Sequence, residues 1–381
     1  MTNVTVLGAG MVGSLIAKDL AGESGFSVTS VDSRPNALRL LRDQDSRVDI
    51  REIDLAQPGR IAEAIADADL VCGALSSGVG YRALEEIIRA GKPYCDIAFM
   101  PEDAIDLDDL AKEHGVTAIV DCGVAPGMSN LLAGVAAATL DPCDRIEIYV
   151  GGLPRERRWP FEYKAGFSPA DVIEEYTRPA RYVEHGELVV REALSEPEMI
   201  ELPGVDTLEA FNTDGLRSLA DTLDVPNMKE KTLRYPGHIE IMRIFRETGF
   251  FRQDSIRVGD VDVRPLDVTQ ALMFPKWTYE EGEEDLTVMR VQAEGQRNGQ
   301  RIRLIWDLLD FYDADSGETS MARTTAFPCA IMARALASGA ISKTGVLPPE
   351  LLAGDAALVE STLEALQQRG VRYDHTVQVL T

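Results

Sequence analysis

The sequence is poor in basic side chains and contains no long apolar run. Its 381 residues include 38 Lys and Arg against 63 Asp and Glu, which gives a formal net charge of −25 at pH 7. This excess argues against nucleic-acid partners and anionic membrane surfaces, because both are bound from a basic face. No apolar segment approaches the roughly 20 residues that cross a bilayer, and the N-terminus enters a strand pattern without a signal peptide's basic and apolar regions. We therefore expect a cytoplasmic protein.

Cysteine and histidine are also scarce. The five cysteines, Cys72, Cys95, Cys122, Cys143 and Cys329, are odd in number, widely spread and without a Cys-x-x-Cys pair. This pattern predicts reduced thiols and argues against a disulfide framework or a structural zinc site. No spacing of His, Cys and carboxylates suggests a metal ligand set, so we expect no metal.

The chain is long and apolar enough for folded domains. With 45% hydrophobic residues, 381 residues exceed one average domain and are not typical of disorder. The composition predicts two compact units, each with a core.

The N-terminal segment has the pattern of a dinucleotide-binding turn. A β-branched strand, Val4 to Leu7, runs into Gly8-Ala9-Gly10-Met11-Val12-Gly13, and apolar residues then recur at helical spacing. Gly8 would permit the tight turn, Gly10 the approach of a pyrophosphate, and Gly13 the close packing of helix on strand. The amides of Met11 and Val12 at the helix N-terminus would face the anion.

Asp32 indicates which dinucleotide binds. It ends the next strand, Phe26 to Val31, where a carboxylate accepts hydrogen bonds from the adenosine ribose hydroxyls and repels a 2′-phosphate. We predict NAD, with Ser33 and Arg34 beside the ribose. Arg34 is the reservation, since a nearby Arg accommodates the 2′-phosphate of NADP.

Further strands alternate with helices up to Asp121, which predicts a doubly wound parallel sheet of the Rossmann type. Ligands of such sheets lie beyond the carboxyl ends of the strands. The residues at these ends are therefore further cofactor candidates, with ordinary turn and capping roles as the alternative: Asp54, Ala74, Leu75, Ser76, Asp121 and Gly123.

After Gly127 the pattern changes to one helix, Ser129 to Leu140, and then to antiparallel strands. The strands are predicted at Arg145 to Val150, Tyr182 to Val190, Leu286 to Glu294 and Gln300 to Asp313, with a hairpin at Asn298-Gly299. We predict an α/β protein in which residues 1–125 form the dinucleotide-binding domain. Residues 126–325 form an inserted α+β catalytic and dimerisation domain with a mixed or antiparallel sheet.

The C-terminal part returns to helix. Pro328 is predicted to open a helix from Cys329 to Ser338, and Asp355 to cap a second from Ala356 to Arg369. A strand, Val371 to Val379, follows. We expect residues 326–381, including this strand, to pack back on the dinucleotide-binding domain, with the substrate between the two domains.

Two sets of longer motifs occur along the chain. The first set lies at Asp96 to Glu102, Asp121 to Asn130 and Thr232 to His238. The second set lies at Tyr163-Lys164, Ser168-Pro169, Ile173 to Arg181, Phe211 to Ser218 and Ser320 to Thr325. The first set resembles motifs of the saccharopine dehydrogenase-like reductases, and the second resembles the lysine 6-dehydrogenase branch of that family.

The resemblance implies NAD-dependent oxidation of the ε-amine carbon of L-lysine to the 6-semialdehyde, by hydride transfer to nicotinamide. It also implies a homodimer formed through the second domain. Two alternatives stay open: a saccharopine or carboxynorspermidine reductase of the same fold, and an NAD-binding protein that has lost the chemistry.

Such a reaction needs a base, because lysine's ε-amine has a pKa of about 10.4 and its ammonium form cannot release a hydride. The candidate catalytic residues are Asp96, at a strand end, His238 and Tyr235. A lone His is more often a structural residue than a catalytic one.

The substrate's carboxylate needs a fixed cation, which an Arg fork supplies best. Arg217 and Arg234 are the candidates, although with 30 Arg among the 38 basic residues a surface-paired Arg is an equal alternative for each. Further residues expected to line the substrate site are Phe99, Val124, Pro126 and Thr213.

Overall fold

A computed structural model describes residues 1–380 of the chain. Within these residues the backbone forms eighteen strands: β1 Thr2–Leu7, β2 Phe26–Asp32, β3 Val48–Glu52, β4 Leu70–Gly73, β5 Tyr94–Asp96, β6 Thr117–Ile119, β7 Cys143–Pro154, β8 Ala180–Glu184, β9 Glu187–Arg191, β10 Glu198–Ile200, β11 Leu208–Asn212, β12 Met228–Arg234, β13 Ile256–Val258, β14 Val261–Val263, β15 Asp285–Arg297, β16 Gln300–Phe311, β17 Gly345–Leu347 and β18 Tyr373–Val379.

The same residues form twelve α-helices: α1 Met11–Ala21, α2 Pro35–Gln44, α3 Arg60–Ala64, α4 Ser77–Arg89, α5 Asp108–Glu113, α6 Met128–Thr139, α7 Pro169–Thr177, α8 Leu219–Thr222, α9 His238–Thr248, α10 Pro265–Trp277, α11 Ser320–Ala337 and α12 Ala356–Gln368. Two short 3₁₀ helices lie at Ala104–Leu107 and Pro349–Leu352. No helix in residues 1–380 has the length and apolar character needed to cross a bilayer.

The chain divides into two compact units. Of the described residues, the first unit comprises 1–139 and 322–372, and the second comprises 140–321 and 373–380. Each unit is built on its own large sheet.

The first unit contains the predicted Rossmann-type sheet. Its strand order is β17-β6-β5-β4-β1-β2-β3, and all neighbouring strands pair in parallel. Both faces are covered, so the strands are rich in β-branched residues and their central side chains, such as Val6, Val31 and Val71, are fully buried. The carboxyl ends of these parallel strands meet at one edge, which carries most of the predicted cofactor residues.

The second unit contains the predicted mixed sheet, in the order β10-β11-β12-β7-β15-β16-β18. β12 and β7 run parallel, and the other neighbouring pairs along this path are antiparallel. Asn298 and Gly299 both have positive φ, 54° and 77°, as the predicted two-residue hairpin requires. The segment predicted as one strand, Tyr182 to Val190, is instead the hairpin of β8 and β9, because His185 and Gly186 adopt the same left-handed conformation.

Two segments lie in a different unit from the one predicted. Helix α6 belongs to the first unit, since a Cβ on Gly134 would lie 2.8 Å from the carbonyl oxygen of Glu350. Strand β18 was expected to pack on the dinucleotide-binding domain, and that prediction is wrong. It pairs antiparallel with β16, from Tyr373 opposite Leu308 to Val379 opposite Ile302.

Pro328 does not open its helix as predicted but lies inside α11, which begins eight residues earlier. The two carboxylate oxygens of Asp285 accept the backbone N–H groups of Ser320 and Met321 at 2.7 and 2.9 Å. This acid, 35 residues away in sequence, satisfies the free amides at the helix start. The predicted cap of α12 is confirmed: Asp355 Oδ1 accepts the N–H of Leu358 at 3.0 Å.

Candidate functional site

The glycine turn between β1 and α1 has the geometry of a dinucleotide turn. Gly8 has φ +105°, and a Cβ there would lie 3.1 Å from the carbonyl carbon of Ala74. A Cβ on Gly13 would overlap the carbonyl oxygen of Gly8 and lie 3.0 Å from the Ala74 Cβ. At Gly10 the nearest atom to a Cβ would be 3.7 Å away. The first and third glycines therefore pack the turn, and the second leaves its backbone open.

Helix α1 begins at Met11 with no acidic residue in its first turn. Gly10 has no side chain to cap the helix, so the first amides keep their positive potential for an anion. Met11 is 45% exposed, whereas Val12 is buried.

Asp32 lies at the end of β2 and faces the glycine turn. Its Oδ2 accepts the N–H of Ala9 at 2.7 Å, and its Oδ1 accepts the N–H of Arg34 at 2.8 Å. The Arg34 guanidinium donates to both oxygens, at 3.0 and 2.9 Å. Burial alone would raise the pKa of Asp32, but the hydrogen bonds from Arg34 and Ala9 lower it below its usual value. The acid is therefore ionised at neutral pH.

The other predicted cofactor residues have mixed surroundings. Asp54 is exposed, and its carboxylate accepts the N–H of Ala56 and the side-chain amide of Gln57, which is the capping alternative. Ser33 and Ser76 are exposed, and Leu75 packs on the core. Ala74 lies against Gly8 and so belongs to the wall of the turn.

The segment from Asp121 to Gly127 forms a tight turn after β6. Asp121 is buried with φ 51°, and the Ala125–Pro126 peptide bond is cis. A Cβ on Gly127, whose φ is +142°, would overlap the backbone of Gly123. The contact between these two glycines accounts for both without a ligand. Val124 is buried, and Pro126 and Phe99 are half-buried.

Asp96 is less accessible than a catalytic base must be. Its side chain is 0% exposed, Oδ1 accepts the N–H of Ala98 at 2.9 Å, and Oδ2 has no hydrogen-bond partner. Burial, reinforced by the nearby Asp121, raises its pKa well above the usual value despite the bond from Ala98. Complete burial of this carboxyl group argues against the expected role of Asp96 as the base.

In the second unit, Arg234 is the centre of a buried polar cluster. It is 2% exposed, and its guanidinium donates to Glu175, to the Tyr176 hydroxyl at 3.2 Å and to the carbonyl of Leu233. The guanidinium also lies 4.4 Å from the centre of the Tyr163 ring. These internal partners are against the expected role of Arg234 in holding the substrate carboxylate.

His238 and Tyr235 are likewise satisfied internally. His238 Nδ1 lies 2.8 Å from the carbonyl oxygen of Phe161, and Nε2 lies 2.9 Å from the Tyr176 hydroxyl. Since a carbonyl can only accept, Nδ1 donates to it and Nε2 accepts from Tyr176. Burial and the charge of Arg234 lower the pKa of His238 to about 3. Tyr235 donates its hydroxyl to the carbonyl of Pro154 at 3.0 Å. Neither is placed in this structure to take a proton from a substrate.

Thr213 and Arg217 lie on one buried loop, residues 213–218, and are 4% and 7% exposed. Thr213 donates its hydroxyl to Glu230 at 2.5 Å. Arg217 has φ 52°, a left-handed conformation that is uncommon for a residue with a side chain. Strained residues of this kind concentrate at functional sites.

Glu175, Tyr176 and Glu230 are residues that our sequence interpretation did not single out. Glu230, Thr232 and Arg234 occupy alternate positions of β12 and therefore share one face of the sheet. The segment Met228-Lys229-Glu230-Lys231-Thr232-Leu233-Arg234 has polar residues at both odd and even positions, so no alternation indicated a buried face.

Within residues 1–380, no group of three or more His, Cys, Asp or Glu side chains has an arrangement that could hold a metal ion. All five cysteines are free and buried. The Sγ atoms of Cys95 and Cys329 lie 3.6 Å apart in the first unit.

Two family models match the chain. The saccharopine dehydrogenase NADP binding domain matches residues 4–119, and the saccharopine dehydrogenase C-terminal domain matches residues 123–371. The second match alone covers more than half of the chain.

Three relatives that are similar over most of this chain agree with the family models. Mitochondrial alpha-aminoadipic semialdehyde synthase of Bos taurus is 23% identical over 97% of this chain, which spans about half, 47%, of that protein. Saccharopine dehydrogenase (NADP+, L-glutamate-forming) of Schizosaccharomyces pombe is 21% identical, over 85% of this chain and 88% of its own. Carboxyaminopropylagmatine dehydrogenase of Synechocystis is 22% identical, over 94% and 95%.

The apo structure of saccharopine dehydrogenase (L-Glu forming) from Saccharomyces cerevisiae has the same fold, with a TM-score of 0.81 and 17% identity over 99% of this chain and 100% of that one. The chain therefore belongs to the saccharopine dehydrogenase family of oxidoreductases, and its first domain is a pyridine nucleotide-binding domain.

Proposed function

We propose that this protein oxidises the ε-amine carbon of L-lysine with NAD, giving an imine that hydrolyses to 2-aminoadipate 6-semialdehyde and ammonia. The observation that carries the redox assignment is the open glycine turn facing the ionised carboxylate of Asp32. The choice of lysine is supported by the motifs that resemble the lysine 6-dehydrogenase branch, above all Ile173 to Arg181 and Phe211 to Ser218.

The residues of the turn fit a dinucleotide. The open backbone at Gly10 and the first amides of α1 would hold the pyrophosphate, and Asp32 would accept the ribose hydroxyls. Bound NAD would supply the hydride acceptor, the nicotinamide ring. The protein's own part is to position and desolvate the amine and to move its proton.

NAD is favoured over NADP by charge. A 2′-phosphate next to an ionised Asp32 would be repelled. Two observations favour NADP: the name of the matching domain model, and the position of Arg34, which already lies on Asp32 and would neutralise part of its charge. Activity and affinity measured with NAD and with NADP distinguish the two cofactors.

Arg217 is the residue we propose for the substrate's α-carboxylate, with Thr213 on the same loop. Arg217 lies on a strained, buried loop and has a left-handed backbone conformation, which is typical of functional sites. An Arg fork matches a carboxylate in two hydrogen bonds, which fixes the orientation of the amino acid.

The names of the relatives favour a second candidate, a dehydrogenase or reductase of a secondary amine such as saccharopine. The Schizosaccharomyces pombe protein is named for saccharopine, and this chain covers 88% of it. Hydride exchange at a carbon-nitrogen bond would be the same, but the pocket would have to hold another carboxylate-bearing arm.

Incubation of the pure protein with NAD or NADP and with L-lysine or saccharopine separates these functions. We expect reduced nicotinamide, followed by its near-ultraviolet absorbance, with L-lysine and NAD, together with an equal amount of ammonia. Nε-acetyl-lysine is the matched control, since it lacks the free ε-amine and should give no signal. A signal with saccharopine alone would favour the second candidate, and no signal with either substrate would contradict both.

We also propose that the protein is a homodimer through its second unit. Strand β18 is an edge strand of the second sheet, and its Val377 and Val379 are 43% and 63% exposed. Exposed apolar edges of this kind favour pairing with another chain. Light scattering coupled to size exclusion should give twice the mass of the chain, and a monomer would contradict the proposal.

A further inference from the structure

The loop 213–218, between β11 and α8, is buried to an extent that is unusual for a connection. Thr213, Asp214, Leu216, Arg217 and Ser218 are all less than a tenth exposed. Loops normally run over the surface, because their backbone groups need hydrogen-bond partners. The left-handed backbone of Arg217 adds strain. Specific contacts must therefore hold this loop in place.

Glu230 provides two of these contacts. Its Oε2 accepts the hydroxyl of Thr213 at 2.5 Å and the backbone N–H of Gly215 at 3.1 Å. Thr213 Oγ1 also lies 2.8 Å from Thr232 Oγ1, one position along the same face of β12. A Cβ on Gly215 would lie 2.8 Å from Glu230 Cγ and overlap the carboxyl group. The carboxyl group of Glu230 thus occupies the space that a side chain at position 215 would need.

The charges around Glu230 disfavour its ionised form. Asp214 faces it from the loop and is paired with Arg181 at 2.8 and 3.1 Å. Glu175 faces it from α7 and is paired with Arg234 of β12. Lys229 and Lys231 lie on the opposite face of the strand, where they pair with Glu196 and Glu198. Two carboxylates therefore lie near Glu230, and each of them is paired with an arginine.

Burial is the main reason why the pKa of Glu230 is raised to about 8. The hydrogen bonds from Thr213 and Gly215 lower it, and the carboxylates Glu175 and Asp214 raise it further. The folded state therefore keeps a proton that the unfolded state releases near its ordinary value of 4.5. The stabilisation of the folded state by this proton is complete below pH 4.5 and is lost as the pH rises through about 8.

We propose that Glu230 is the positioning residue of loop 213–218 through its contacts with Thr213 and Gly215, that the loop loosens at alkaline pH, and that this loosening weakens the binding of the substrate group held by Arg217. The weakened substrate binding rests on the proposed function. The positioning of the loop by Glu230 concerns the protein alone and can be tested without a substrate.

Glu230→Gln tests the proposal because the amide keeps the shape and an acceptor oxygen but has no proton to lose in this range. We expect hydrogen exchange of peptides covering 213–218 to accelerate at least threefold in the wild type relative to the variant when the pH rises from about 7 to about 9. Comparing the two proteins at each pH cancels the intrinsic pH dependence of exchange. Over the same pH range, KM for the amine substrate should rise more in the wild type than in Glu230→Gln, whereas kcat should change to the same extent in both proteins.

Glu196→Gln is the matched control. Glu196 faces the opposite side of the sheet, and its pKa is lowered to about 2, because its hydrogen bonds from Lys229 and Tyr182 outweigh its burial. It stays ionised from neutral to alkaline pH, so this variant should keep the pH response of the wild type. Thr213→Val removes one hydrogen bond without altering the carboxyl group, and it should accelerate exchange of the same loop already at neutral pH.

An identical pH response in the wild type and in Glu230→Gln would overturn the proposal, as would unchanged exchange in Thr213→Val. The predicted exchange pattern without turnover of L-lysine or saccharopine would keep the positioning role and contradict the proposed function instead.

Discussion

The guanidinium of Arg34 forms a forked pair with the carboxylate of Asp32, its Nε donating to Oδ1 at 3.0 Å and its Nη2 to Oδ2 at 2.9 Å. Asp32 is buried, whereas the Arg34 side chain is 62% exposed. The acid is therefore fixed by the turn at Ala9, and its partner can move into solvent. The two residues together determine the local charge at the end of β2.

Asp32→Ala should weaken NAD binding about tenfold to a hundredfold, since hydrogen bonds to a charged group contribute roughly 1.5–3 kcal/mol. It should also relax discrimination against NADP, because Arg34 is then released to meet a 2′-phosphate. Calorimetric titration with both dinucleotides measures the two affinities.

Asp45→Ala is the matched control for this experiment. Asp45 and Arg47 form the same forked pair two residues apart, at 2.9 and 2.6 Å, after helix α2. Its loss should leave both affinities unchanged. Unaltered cofactor preference in Asp32→Ala would show that the acid does not meet the ribose.

Asp96→Asn should retain most of the turnover. Burial raises the pKa of Asp96 well above its usual value, so an amide of the same shape is a close replacement, and the bond from Ala98 to Oδ1 survives. If Asp96 were the base, turnover would fall by about a hundredfold or more. The variant should also be less sensitive to alkaline pH, since the stabilising proton of Asp96, lost as the pH rises through its raised pKa, is no longer needed.

Asp103→Asn is a suitable control, because Asp103 is an exposed carboxylate in the same domain that caps the 3₁₀ helix Ala104–Leu107. Steady-state kinetics of both variants, with thermal unfolding as a check of the fold, gives the comparison. A large loss of turnover confined to Asp96→Asn would restore Asp96 as the base.

The local part of the fold could be predicted from sequence, and the long-range part could not. The turn from Gly8 to Gly13, the acid at the end of β2 and the hairpin at Asn298 each depend on a few neighbouring residues. The pairing of β18 with β16 and the capping of α11 by Asp285 join residues far apart in the chain. No local pattern distinguishes them from the alternatives that we predicted.

The same distinction applies to the candidate site. Asp32 could be proposed from sequence because its distance from the glycine turn is set by one strand-helix-strand unit. Asp96, His238 and Arg234 were proposed for their chemistry and their place in motifs, but their burial depends on segments elsewhere, such as Phe161 and Tyr176 around the histidine. Chemistry-bearing residue types can be named from sequence, whereas their accessibility cannot.

Gly13→Ala should abolish or strongly weaken dinucleotide binding and destabilise the first domain. The new Cβ would overlap the carbonyl oxygen of Gly8, so the helix must move away from the strand. Overpacking of this kind costs typically 1–3 kcal/mol. Gly78→Ala is the matched control, a helical glycine with no atom within 4 Å of its Cβ position, and it should be neutral or slightly stabilising. Equal melting temperatures and affinities in the two variants would contradict the close packing.

Tyr176→Phe should destabilise the second domain more than Tyr235→Phe. The Tyr176 hydroxyl accepts from Arg234 Nε and donates to His238 Nε2, so its removal leaves two buried polar atoms without their partner. Each buried polar atom without a partner lowers the free energy of unfolding by about 1–3 kcal/mol. The Tyr235 hydroxyl makes one hydrogen bond, to the carbonyl of Pro154, and its removal should lower the free energy of unfolding less.

Urea unfolding of both variants measures the two losses of stability. Since dinucleotide binding resides in the other domain, NAD affinity should stay unchanged, and equal losses in both variants would show that the hydroxyl does not link Arg234 to His238.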